Sequence, residues 1–248
     1  MVSPSASKPI ESGAHGAFVL FVHSSTDEWV WASAVAIAAE LRRDLALRPR
    51  SRLLLSGGST PAPVYQALAK APLDWPRVDV ALVDERWLLP DDPDSNARLV
   101  RTHLLHHHAA AARFEAMTQS GRRIEEAVAT ANAHAQQPTA VAVLGMGDDG
   151  HTASLFPGMA DLDRVLASRL PYAAVDATGC PGARQWHRRI TLTPAGLANA
   201  HARVLLIQGA SKRRVFEQAC ADGNATRWPV LAALGGGEAS PLQVHWCP

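Results

Sequence analysis

The sequence predicts an α/β fold: a mostly parallel sheet with helices on both faces. Three observations predict it. Short apolar runs of strand length recur along the chain, at residues 17–22, 53–55, 78–83, 140–144 and 204–207. Such runs mark strands buried on both faces. Segments with helical spacing of apolar residues lie between them, and strand–helix alternation favours a parallel sheet. Four of the runs lead into a glycine-rich or charged turn, at 56–60, 84–87, 145–151 and 209–212.

The elements follow in order. Residues 17–22 (AFVLFV) read as a buried strand. Ser25 and Glu28 have capping-box spacing. After them Val30, Ala34, Ile37, Leu41 and Leu45 recur at three- and four-residue intervals, an amphipathic helix that Pro49 follows. Leu53-Leu54-Leu55 forms the second strand. In the turn Ser56-Gly57-Gly58-Ser59-Thr60 the expected cap is Thr60, with Pro61 in the first helical position and a helix running to about Lys70. Residues 78–83 are the third strand, ending at Asp84-Glu85-Arg86. A Pro- and Asp-rich loop covers 88–96, and helices are expected from Ala97 to about His106 and over 124–136. The strand at 140–144 comes next. Further strands are expected at 172–175, 188–192 and 203–208, a helix over 211–221, and a last strand starting near Val244. No internal repeat or long linker divides the chain. Residues 17–248 therefore read as one domain, and residues 1–16, rich in Ser, Pro, Ala and Gly, as a flexible leader.

Composition excludes several function classes. The formal net charge of +1 gives no basic excess for nucleic acid. No apolar run is long enough for a transmembrane helix, and the N-terminus lacks the pattern of a secretory signal. Cys180, Cys220 and Cys247 are few and far apart, which fits a reducing, cytoplasmic setting and disfavours a zinc site. His103, His106, His107 and His108 match no ligand pattern and read as a solvated helix end. The seven tryptophans are scattered, as core or rim residues are.

The chemistry concentrates in the four strand-end turns. Gly57 and Gly58 let backbone approach a ligand, Ser59 and Thr60 add hydroxyls, and the next helix points free N–H groups at the same place: a phosphate cradle without P-loop spacing. Arg86 has the planar fork that grips a phosphate, although a structural ion pair is an equally simple use of it. His151 carries the side chain suited to proton transfer near neutrality, and Asp149 or Asp148 is placed to orient its ring. Lys212 opens a helix after an apolar strand and offers a point charge to an anion. In a parallel sheet such ends converge on one crevice. Its contents suit a small phosphorylated substrate handled by acid/base chemistry.

Together the segments LLLSGGSTP (53–61), VDERWLLPDDPDSNARLV (83–100), LGMGDDGHTASLFPG (144–158), RRITLTP (188–194) and LLIQGASKRRVF (205–216) resemble the 6-phosphogluconolactonase family, from about residue 17 to the C-terminus. The resemblance implies a modified Rossmann-like fold like that of glucosamine-6-phosphate deaminases and ribose-5-phosphate isomerases. It implies hydrolysis of 6-phospho-D-glucono-1,5-lactone, with His151 as general base beside Asp149, Arg86 and Lys212 as phosphate ligands, and Gly57, Gly58, Ser59 and Thr60 at the ligand. No metal, cofactor, nucleic acid or membrane is implied, and the chain is expected to act as a monomer or weak homodimer. One local departure is Trp87-Leu88-Leu89-Pro90, a residue longer before the proline than the family's pattern. Two rivals stand beside this reading. Amino-sugar phosphate deaminases carry Phe-Asn-Glu-Pro after the motif histidine, where this chain has Ser154-Leu155-Phe156-Pro157. A non-catalytic sugar-phosphate sensor would need a DNA-binding segment, and only about 16 residues precede the first expected strand.

Overall fold

A computed structural model describes residues 11–13, 16–235 and 240–248. Its centre is an eight-stranded sheet made of β1 (Glu11–Gly13), β2 (Gly16–Val22), β3 (Ser51–Leu55), β4 (Val78–Leu82), β6 (Arg113–Phe114), β7 (Thr139–Leu144), β10 (Ala200–Gln208) and β11 (Leu242–Cys247). The order across the sheet is β1-β2-β11-β10-β7-β3-β4-β6. Every pairing is parallel except that of β1 with β2. A second, antiparallel sheet has the order β5-β9-β8, from β5 (Asp84–Arg86), β8 (Tyr172–Asp176) and β9 (Arg188–Leu192).

The helices are α1 (Thr26–Leu47), α2 (Ala62–Leu68), α3 (Asn96–His103), α4 (Ile124–His134), α5 (Leu162–Leu166), α6 (Pro194–Ala198) and α7 (Gly209–Asp222). Every residue of β3, β4 and β7 is buried, so helices cover both faces of the central sheet, as the unbroken apolar runs require. The anchor of α1 is Trp29, wholly buried, whose indole N–H donates to the carbonyl of His245 at 3.0 Å. Ile37 and Leu41 on the same face are also fully buried. Each such side chain contributes about 1.5–3 kcal/mol relative to exposure. Among the described residues no helix is long and apolar enough to cross a membrane.

Several local expectations are corrected. Thr60 does not cap α2; Pro61 stands at the N-cap with helical φ and ψ, no side chain bonds the free N–H groups, and the helix ends at Leu68 rather than near Lys70. The capping box of α1 is shared: Ser25 Oγ accepts from the Glu28 N–H, but the Glu28 carboxylate turns back to the backbone N–H and hydroxyl of Ser24. Helix α3 stops at His103, where the His106 ring turns to the His103 carbonyl, 2.8 Å away. The strands at 172–176 and 188–192 do not extend the parallel sheet. They pair antiparallel with each other, as a connection without a crossover α-helix allows, and β9 also pairs antiparallel with β5. Within the expected leader, residues 11–13 pair with β2 at the sheet edge; residues 1–10, 14 and 15 lie outside the described residues.

This topology positions the crevice. From β3 the chain winds outward to β4 and β6, then returns to the other side of β3 with β7 and moves on to β10 and β11. The winding reverses between β3 and β7, and ligands in open α/β sheets bind at the carboxyl ends of strands at that point.

Candidate active site

The four strand-end segments follow four neighbouring strands, in the order β10, β7, β3, β4. One correction applies: Arg86 is not in a loop of the main sheet but closes β5, which leaves β4 after a single residue and joins the second sheet. Two hydrogen bonds hold that junction, from Val83 N to the Leu55 carbonyl and from Leu192 N to the Val83 carbonyl, each 2.8 Å. The resulting crevice has a volume of about 710 Å³ and brings together every residue singled out in the sequence: Gly57, Gly58, Ser59, Thr60, Arg86, Asp149, His151 and Lys212.

The turn after β7 makes the acid/base pair. Gly147 N–H donates to the His151 carbonyl at 2.8 Å and Gly150 N–H to the Gly147 carbonyl at 3.1 Å, so the chain doubles back within five residues. That fold-back sets His151 Nδ1 2.6 Å from Asp149 Oδ1, and the same oxygen accepts the His151 backbone N–H at 3.1 Å. Burial alone would raise the Asp149 carboxyl. The hydrogen bond and charge of His151, with backbone donors, outweigh it and hold the group below its ordinary value. An ionised Asp149 only accepts, so in the neutral tautomer of His151 that this contact selects Nδ1 carries the proton and Nε2 the lone pair. The ring of His151 leans on Phe156, with centroids 4.5 Å apart.

Close approach explains two glycines. A Cβ on Gly147 would lie 2.1 Å from His151 Nδ1 and 2.5 Å from Asp149 Oδ1. A Cβ on Gly57 would lie 1.9 Å from the amide oxygen of Asn96. Asn96 in turn donates to the Asp84 carbonyl at 2.8 Å and begins α3, so the glycine turn rests on that helix. Glu85, fully buried, accepts from Arg86 N, Asn96 N, Ala97 N and Ser95 Oγ at 2.8–2.9 Å. Burial pushes its carboxyl up to about 7, although these four donors favour the charged form.

The cations differ in their ties. Arg86 donates from Nη1 to the Asp94 carbonyl while its Nε is buried without a partner among the described residues. Lys212 Nζ donates to the Met146 carbonyl and lies 3.3 Å from Asp148. Arg189, which the sequence reading placed in a strand but gave no role, lies under the crevice. Its guanidinium donates to the carbonyls of Ala183 and Trp186, each at 2.7 Å, and sits 5.2 Å from the Phe156 ring centroid. Arg184 also lines the crevice and went unremarked. The available signal was their density, three arginines within residues 184–189 at the start of a strand. The histidines at 103–108 stand apart from the crevice lining; the His103 ring pairs with Gln66 at 3.0 Å and the His106 ring stacks edge-on with His107 at 4.7 Å.

The fold and site define an α/β enzyme with a cation-lined crevice at the switch point of a parallel sheet. The chain belongs to the family of glucosamine-6-phosphate isomerases/6-phosphogluconolactonase, whose model matches residues 24–244. It is 50% identical over 226 residues to a 6-phosphogluconolactonase of Xylella fastidiosa, covering 89% of this chain and 93% of the relative. It is 41% identical to a 6-phosphogluconolactonase of Pseudomonas aeruginosa over 237 residues, covering 92% and 94%. A crystal structure of a 6-phosphogluconolactonase from Shewanella baltica superposes with a TM-score of 0.86 at 32% identity, covering 93% of this chain and 98% of the other.

Proposed function

We propose that the protein hydrolyses 6-phospho-D-glucono-1,5-lactone to 6-phospho-D-gluconate, the second step of the oxidative pentose phosphate pathway. The observation that carries the reading is the His151–Asp149 pair, 2.6 Å apart, in a crevice lined by Arg86, Arg184, Arg189 and Lys212. A sugar lactone is an activated ester, and its opening needs a base, a water and stabilisation of an oxyanion. His151 Nε2 takes a proton from water as the water oxygen attacks C1. The tetrahedral oxyanion collapses, the C1–O5 bond breaks, and the imidazolium returns its proton to O5, which leaves as the C5 hydroxyl. The carboxylic acid then ionises and releases one proton to solvent. Asp149 holds the imidazole in the required tautomer and offsets its positive charge. The phosphate lies against Arg86, Lys212 and the Gly57-Gly58-Ser59-Thr60 turn, where backbone N–H groups and cations serve it together.

The residues after His151 favour this reading over amino-sugar deamination. Leu155 and Phe156 are buried in a separate apolar cluster, and Ser154 Oγ donates to Asp84, so this segment presents no carboxylate of its own to the crevice. The test is a coupled assay with freshly prepared lactone, read above spontaneous hydrolysis, beside ammonia release from glucosamine 6-phosphate. Turnover of the lactone without ammonia release supports the proposal; ammonia release overturns it.

A further inference from the structure

We propose that Arg184 is a catalytic residue at the lactone end of the crevice, stabilising the C1 oxyanion and then the product carboxylate. The inference rests on the lactonase reading above. It begins from a backbone outlier. Arg184 has φ 54° and ψ −131°, outside the regions that residues with a Cβ ordinarily populate. Only His107, Ala153 and Arg184 combine a side chain with positive φ among the described residues, and the latter two line the crevice. Such strain persists where the surroundings impose it, and it concentrates at functional sites.

The surroundings here are explicit. Arg189 binds the carbonyls on either side, those of Ala183 and Trp186, and the His187 ring N–H donates to the Arg184 carbonyl at 2.7 Å. Three side-chain bonds therefore fix the loop that carries Arg184. Its own side chain is exposed and has no hydrogen-bond or ion-pair partner among the described residues. The other three crevice cations all bond to protein groups. A charge held on a strained, braced loop and left unpaired in a crevice is available to a ligand.

Position separates Arg184 from the phosphate anchors. Two residues before it, a Cβ on Gly182 would lie 2.6 Å from Asp149 Oδ2 and 3.1 Å from His151 Nδ1. The Arg184 loop therefore packs directly on the acid/base pair, and C1 must sit within reach of that pair for His151 to deliver water. Negative charge develops there during attack and remains there in the product. A guanidinium matches both the oxyanion and the planar carboxylate.

The test compares two ligands that share a phosphate and a polyol chain and differ at C1. 6-Phosphogluconate carries a carboxylate there, and sorbitol 6-phosphate a neutral hydroxymethyl group. Arg184→Gly keeps the backbone conformation and removes the charge, so its Tm should equal or exceed that of wild type. It should bind 6-phosphogluconate at least about tenfold more weakly and sorbitol 6-phosphate within about twofold, with kcat on the lactone reduced roughly 10²-fold. Arg184→Gln, which keeps side-chain bulk, should show the same selective loss, and Arg184→Lys should recover part of kcat. Equal weakening of both ligands would put Arg184 at the phosphate and overturn the proposal, as would no weakening of either. If wild type binds neither ligand, the sugar-phosphate reading itself fails, and that result is distinct from both.

Discussion

The sharpest consequence of the site's construction concerns a residue that carries no functional group. In Gly147→Ala the added Cβ would fall 2.1 Å from His151 Nδ1, 2.2 Å from Cε1 and 2.5 Å from Asp149 Oδ1. Ordinary contacts for such atoms are roughly 3.5 Å or more, so the pair must move by about 1 Å or the turn must open. Opening the turn stretches the Gly147 N–H bond to the His151 carbonyl, now 2.8 Å. Gly182 closes the other side, where a Cβ would already meet Asp149 at 2.6 Å, so the pair has little room to retreat. Overpacking of this kind costs about 1–3 kcal/mol of stability. A displacement near 1 Å at the reacting groups costs on the order of 10²-fold in rate. We therefore expect kcat to fall about 10²-fold, KM to change little because the proposed phosphate contacts, Arg86, Lys212 and the Gly57–Thr60 turn, lie on other elements, and Tm to drop by a few degrees. Steady-state kinetics on fresh lactone and a melting curve check this. A variant with near wild-type kcat would refute the claim that the geometry of the pair limits the reaction.

Two further outcomes follow from the same geometry and from the buried histidines. Asp149→Asn removes the charge on His151 Nδ1 at 2.6 Å; a hydrogen bond to a charged group is worth about 1.5–3 kcal/mol, and Asp149 is partly exposed, so kcat should fall about tenfold, toward the low end of that range, with KM preserved. Stability should also weaken in acid, because burial and then the charge of His23 lower His245 to about 3. The unfolded chain binds that proton below about pH 6.5 and the native state does not, so unfolding becomes easier as pH falls from about 6.5 toward 3, by up to about 4–5 kcal/mol. His245→Phe keeps the stacking on Phe21, whose ring centroid is 4.7 Å away, and should flatten the dependence; an unchanged slope in denaturant titrations between pH 6.5 and 4 would contradict the assignment.

What was legible in the sequence follows from where local signals dominate. Strands such as β7 are buried on both faces, so their composition alone marks them, and a crevice at their carboxyl ends follows from parallel pairing. That the residues from Gly57 to Lys212 line one crevice was legible because each lies in the segment that directly follows such a strand, Arg86 in the short strand β5. What escaped was set by contacts distant in sequence. Residues 188–192 (RRITL) read as one more strand of the main sheet, but their pairing with Asp84–Arg86 makes a second sheet and brings Arg189 beneath the site. Gly182 reads as an ordinary loop glycine; only the approach of the 181–184 turn to Asp149 and His151 shows why no side chain fits there. Thr60 has the chemistry of a cap, but Pro61 already holds helical angles and takes that place.

The central claim is that His151 activates water for opening of a phosphorylated lactone. The most direct measurement is the rate of His151→Ala on freshly prepared 6-phospho-D-glucono-1,5-lactone, corrected for spontaneous hydrolysis, with 6-phosphogluconate affinity measured on the same sample. Loss of a general base predicts a fall in kcat of about 10²–10⁴-fold with product affinity kept within a few-fold. Near-normal turnover by a folded His151→Ala protein would contradict the account.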